Sequence, residues 1–152
     1  MSSTRRLQFS QVIAASVARV YELMIGPESY KHWTSAFADD SYYEGSWTQG
    51  GRILFLSPSG DGMVAEIAEN RPNEFISIRH LGFFASGVED TDSEAVRAWA
   101  PAFENYTFAG VPEGTRLVID LDVPADWEGF MQEAWPKALS RLKAMCEAAR
   151  AV

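Results

Sequence analysis

The last quarter of the chain carries the pattern that most constrains its fold. Trp135, Leu139, Leu142, Cys146 and Ala149 recur at intervals of three and four residues, with Met131, Ala138 and Met145 flanking them on the same side. At 3.6 residues per turn this is an apolar stripe along one long helix. Lys137, Ser140, Lys143, Glu147 and Arg150 fall on the other side. A helix built this way needs a broad apolar surface to lie on. Pro136 lacks an N–H and crowds the preceding turn, so a kink or restart is expected there. Asp126 is placed to cap the upstream end.

Strands supply that surface. Leu7 to Ala15 alternates as a first strand, and Ser16 is placed to cap a helix carrying Val17, Val20, Tyr21 and Met24 at helical spacing. Gly26-Pro27 ends it, and Pro27 suits the first turn of a second short helix, Glu28 to Trp33. Strands follow over Ser41 to Trp47, Arg52 to Leu56, Met63 to Asn70, Glu74 to Phe84, Ala102 to Ala109 and Thr115 to Val123. Short turns rich in Gly, Pro, Ser and Asp join most of them. Ala85 to Ala100 holds Glu89, Asp90, Asp92 and Glu94, and is expected as an exposed acidic loop with at most one helical turn. Consecutive strands on short turns pair antiparallel, and helices at both ends of the strand run define an α+β fold.

The chain's 152 residues fit one domain with a substantial core. A net charge of -8 repels phosphate backbones and anionic bilayers, so neither nucleic acid nor membrane is expected as a partner. Cys146 is the sole cysteine, which suits a reducing, cytoplasmic setting. No run of roughly 18 apolar residues marks a membrane span. Two histidines and one cysteine, scattered, predict no metal site. No cofactor-binding or nucleophile motif stands in the sequence. A homodimer is compatible with all of this.

In a half-buried sheet one face of each strand looks inward, and apolar content selects that face. Ile53 and Phe55 share it, as do Met63, Ala65 and Ile67; Ile76, Ile78 and His80; Glu104, Tyr106 and Phe108; and Leu117, Ile119 and Leu121. Two ionisable residues, His80 and Glu104, thus stand on otherwise apolar rows. A buried carboxylate needs a partner, and the adjacent strands put His80 within reach of it. Tyr106 adds a hydroxyl on an aromatic body. Trp33 and Trp99, near loops, are placed as gate residues, and Trp135 faces the sheet.

The element order resembles the START-like helix-grip superfamily, also called SRPBCC. Within it the chain is similar to the family of homologues of the activator of heat-shock-protein-90 ATPase. The residues that carry the likeness are Val20, Tyr21, Tyr30 and Trp33, then Glu44-Gly45-Ser46-Trp47, Gly50-Gly51, Gly62-Met63 and Pro72. They continue through Glu104, Tyr106 and Phe108, Gly114-Thr115 and Trp135-Pro136-Lys137-Ala138-Leu139. The resemblance implies a curved antiparallel sheet wrapped around the long C-terminal helix, with two short helices after the first strand and a cavity between sheet and helix. It hosts carriers, cyclases, sensors and co-chaperones, so it implies no single activity.

The leading expectation is a small apolar or amphipathic ligand held in that cavity by His80, Glu104, Tyr106, Phe108, Trp33, Met63, Ile78, Trp135 and Leu139, with no catalytic residue, cofactor or metal. Two alternatives stand beside it. One is a protein-interaction or stress-related module like the chaperone activator. The other is a cyclase- or dehydratase-type enzyme in which His80, Glu104 and Tyr106 handle protons or orient a carbonyl.

Overall fold

A computed structural model describes residues 4–148, so Ala149 of the apolar stripe and Arg150 of the polar side lie outside the described residues. The chain opens with β1 (Thr4–Ile13), α1 (Val17–Ile25) and α2 (Pro27–Trp33). The strands β2 (Tyr42–Gly45), β3 (Arg52–Leu56), β4 (Gly62–Arg71) and β5 (Phe75–Ala85) follow. A short β6 (Val88–Asp90) and α3 (Glu94–Arg97) precede β7 (Ala102–Val111), β8 (Gly114–Pro124) and α4 (Glu128–Glu147).

All strands join one antiparallel sheet in the order β1-β8-β7-β5-β4-β3-β2, with β6 paired to the end of β5. The first strand is therefore one edge and the second strand the other. The two helices α1 and α2 carry the chain between those edges. Ser16 caps α1 by accepting a hydrogen bond from the Arg19 N–H, as its position predicts.

The long helix α4 lies against β1, α1 and α2. Ala134, Trp135, Ala138, Leu139, Leu142 and Cys146 are its buried face. Its far end is fixed by polar contacts rather than by a glycine cap. Arg19 Nε donates to the Cys146 carbonyl at 2.7 Å, Lys143 donates to the Val12 carbonyl at 3.1 Å, and the Ala14 N–H donates to Glu147 at 2.7 Å. The Arg19 bond satisfies a helix-terminal carbonyl, and all three tie the helix to the β1–α1 corner. The Ala14 N–H and Lys143 hold the Glu147 carboxyl below its ordinary value. Burial pushes the Cys146 thiol up to about 11, which keeps it a poor nucleophile.

Three details differ from the sequence-based expectations. The helix runs through Pro136 without a restart. Pro136 sits on the exposed side, so the carbonyl that its missing N–H frees faces water. Asp126 lies in a single 3-10 turn, Ala125–Trp127, and caps nothing. The acidic segment has the one helical turn allowed for, α3 capped by Ser93, but is otherwise not a plain exposed loop: β6 extends the sheet and Val96 is fully buried. Its one apolar anchor is too brief to give a periodic signal.

The main core is a single cluster between α4 and the inner sheet face. It contains the inward rows expected from alternation: Ile53, Ala65, Ile67, Ile76, Ile78, Tyr106, Phe108, Leu117, Ile119 and Leu121. Gly114 closes the β7–β8 turn at φ +137°, and a Cβ there would drive into the backbone of Ile13 to Ala15. Gly110, four residues earlier, has open space around it. Gly114→Ala is expected to cost more than about 1 kcal/mol, and Gly110→Ala to stay within about 0.5 kcal/mol. Urea unfolding of the two variants checks this; equal midpoints would contradict it.

Candidate functional site

Register builds the site. Along β5 and β7, Ile78 stands directly opposite Glu104 and His80 opposite Ala102. His80 and Glu104 are thus diagonal neighbours on one face, close enough for side chains to meet. Tyr106 is two residues further along β7, on the same face as Glu104. The outcome is a linked polar cluster inside an apolar interior. His80 Nε2 lies 3.0 Å from Glu104 Oε1, and the Tyr106 hydroxyl donates to Glu104 Oε2.

An irregularity sits beside this cluster. Val64 pairs with Gly82 but Ala65 pairs with His80, leaving Leu81 as an extra residue in β5. His80 is therefore the last member of the regular inner row, at the point where β7 begins. Beyond the bulge the alternation resets, and Phe83 falls opposite Met63. Bulges of this kind re-aim side chains next to functional sites.

Aromatic rings close around the cluster. Trp135 lies 6.1 Å from Tyr106 and from Phe9, 6.0 Å from Trp33 and 5.0 Å from Phe37, measured between ring centroids. Phe55 is 5.7 Å from His80, and Tyr30 is 6.1 Å from Phe55. The space between sheet and helix is therefore occupied by the chain's own rings. The two concavities that stand out lie elsewhere. One is an open groove by the α1–α2 junction, lined by Leu23, Pro27 and Met145, and the other runs beside Tyr21, Trp47 and Asn70.

Three buried polar side-chain atoms lack a hydrogen-bond partner among the described residues: His80 Nδ1, Trp135 Nε1 and Trp47 Nε1. Leaving such an atom unpaired costs about 1–3 kcal/mol. Two of the three belong to the cluster and the ring that covers it. Burial, then the Glu104 charge, raises the Tyr106 phenol well above its ordinary value. The same causes, with Tyr43 adding to them, raise Tyr30.

Of the residues proposed from sequence, the structure brings His80, Glu104, Tyr106, Ile78 and Trp135 together. Phe108 is buried but packs on Tyr21 at 5.6 Å, roughly 13 Å along β7 from Glu104. Trp33 is no gate: it is 2 % exposed, and its Nε1 donates to the Met24 carbonyl at 3.0 Å. Leu139 is core, and Met63 is half-buried outside the main cluster. Trp99 does sit near the surface, 5.2 Å from the exposed ring of Phe83. Phe55, which alternation put on an inward row, and Tyr30 on α2 are further neighbours of the site. Tyr30 lies one helical turn before Trp33, on a helix to which strand alternation assigns no face.

His80 and Glu104 are partly buried and Tyr106 is buried, and the linked cluster can accept or donate a hydrogen bond. Among the described residues no group of three or more His, Cys, Asp or Glu side chains could hold a metal ion. No described helix is long and apolar enough to cross a membrane.

These features define an α+β helix-grip architecture, an eight-stranded antiparallel sheet with a long C-terminal helix packed on it. Solved structures share it. Protein MLL2253 from Mesorhizobium loti superposes with a TM-score of 0.73 at 15% identity, over 97% of this chain and 100% of that one. CalU16 from Micromonospora echinospora gives a TM-score of 0.66 at 15% identity, over 97% of this chain and 78% of that one. DynU16, from the dynemicin biosynthetic locus, gives 0.66 at 18% identity, over 97% of this chain and 48% of that one. At such identities the likeness is one of fold. No protein-family model matches the sequence, and no curated protein matches it.

The raised phenols make an alkaline prediction. A group whose folded pKa lies above its unfolded value contributes stability that is fully present below the unfolded value, about 10 for tyrosine, and is lost as pH rises above it. Above that pH the native protein should release less phenolate absorbance than its five tyrosines allow, with the remainder appearing only on unfolding. Tyr30→Phe and Tyr106→Phe should leave the native amplitude unchanged. Full five-tyrosine ionisation before unfolding would contradict the burial of these two hydroxyls.

Proposed function

We propose that this chain binds a small, mainly apolar molecule between β5, β7 and α4, with one polar group of that molecule held at the His80–Glu104–Tyr106 cluster. The observation that carries this reading is the unpartnered buried atoms, His80 Nδ1 and Trp135 Nε1, placed on and over the cluster. Buried polar atoms are nearly always paired, and a pair left open inside an aromatic cage is a place for a ligand atom or an ordered water. Apolar walls with a few convergent polar groups are the usual make-up of a small-molecule site. The helix-grip likeness to proteins such as CalU16 and DynU16, the latter from a biosynthetic locus, is compatible with handling a small organic molecule.

Because Trp135, Phe55 and Tyr30 occupy the interior, a ligand must displace rings to enter. Phe83 and Trp99 flank the end of the sheet nearest His80, so entry from that end disturbs the fewest core contacts.

A second reading rests on a different observation. Phe83, Val88, Trp127 and Phe130 are large apolar side chains left exposed. They favour a protein-interaction role of the kind suggested by the resemblance to homologues of the chaperone-ATPase activator.

Native mass spectrometry of protein purified from its own host separates the two. The ligand reading predicts a small molecule retained at one per chain and released on denaturation, with retention lost in Glu104→Ala. A bare polypeptide mass would contradict it if, in addition, the methyl resonances of Ile78 and Leu139 do not move when an apolar extract of the host is added.

A further inference from the structure

Resting on the ligand reading above, we propose that the polar group this site selects is a neutral hydrogen-bond donor, a hydroxyl on a flat apolar molecule, delivered to Nδ1 of His80, and that carboxylates are rejected. The assignment follows from proton placement. Glu104 receives the Tyr106 hydroxyl on Oε2 and faces His80 Nε2 across 3.0 Å on Oε1. With Glu104 ionised it only accepts, so the hydrogen in that second contact belongs to Nε2. With the ring also neutral, its one N–H is used there and the other ring nitrogen is a bare lone pair. That nitrogen, Nδ1, is buried and without a partner.

A ligand hydroxyl satisfies Nδ1. A ligand ether or ketone has no hydrogen to offer it. A ligand carboxylate lacks the hydrogen and also brings a second negative charge beside Glu104, where a low dielectric magnifies repulsion. The Tyr106 hydroxyl is already committed to Glu104 and the Tyr43 hydroxyl donates to the Ile25 carbonyl, so neither serves Nδ1. The wall of Trp135, Phe55 and Tyr30 rings favours a planar aromatic body for the rest of the molecule.

The test is a matched series on the full chain by isothermal titration calorimetry at pH 7: 1-naphthol, 1-methoxynaphthalene and 1-naphthoate. The naphthol should bind about tenfold or more tightly than its methyl ether, and the naphthoate more weakly than either. His80→Gln keeps an N–H toward Glu104 and removes Nδ1, so in that variant the naphthol and the ether should bind alike. Equal affinities of naphthol and ether for the unaltered chain would overturn the donor assignment while leaving the ligand reading standing. So would a preference for naphthoate. Binding of none of the three would overturn the ligand reading and the assignment with it. Because the comparison on the unaltered chain decides the matter, a His80→Gln variant that fails to fold does not shield the proposal.

Discussion

The seating of Trp135 in the inner face of the sheet is the contact on which the rest of the structure depends. An antiparallel sheet with one apolar face needs a cover, and α4 is that cover. Trp135 is 2 % exposed and meets Phe9 on the first strand, Tyr106 on the seventh, and Trp33 and Phe37 from the α1–α2 excursion. One ring thus touches the sheet edge, the sheet centre and the helical insert. The bonds from Arg19 and Lys143 to main-chain carbonyls, and from the Ala14 N–H to Glu147, then fix the far end of the helix to the β1–α1 corner.

This aromatic seat explains why a polar cluster persists in the core. A lone carboxylate there would be costly to bury. Glu104 is tolerated because two side chains, on positions set by strand register, bring it hydrogen bonds. The rings packed around the cluster leave two polar atoms, His80 Nδ1 and Trp135 Nε1, unpaired. Stability alone does not account for that arrangement, since an apolar row at His80 and Glu104 would pack without any unmet partner. Both atoms are placed where an ordered water or the polar group of the proposed ligand would pair with them.

Much of this was legible in the sequence because it rests on period. The stripe of Trp135, Leu139, Leu142 and Cys146 is a 3.6-residue pattern, and the inner rows of β5, β7 and β8 are two-residue patterns. Each was read on the correct side. The pairing of His80 with Glu104 followed from both standing on inward rows of neighbouring strands. Other features have no period. The extra residue Leu81 changes which side chains reach the mouth beyond His80, and no local composition announces it. Val96 anchors the acidic segment by a single contact amid charge. Trp33 reads as a loop-side ring in one dimension, yet the turn from α2 tucks it beneath α4. Whether the space around Trp135 is filled or empty depends on the summed shapes of rings from five elements, which no linear pattern encodes.

The central claim is that the grip presents an open acceptor at Nδ1 of His80, held in place by Glu104. The most direct measurement is the protonation pattern of the His80 ring, read from long-range nitrogen–proton correlations on uniformly nitrogen-15-labelled protein at neutral pH. The account predicts a neutral ring with its proton on Nε2 and a bare Nδ1, and loss of that fixed tautomer in Glu104→Ala. A proton on Nδ1, or a ring that exchanges freely between tautomers as the exposed His32 would, contradicts it.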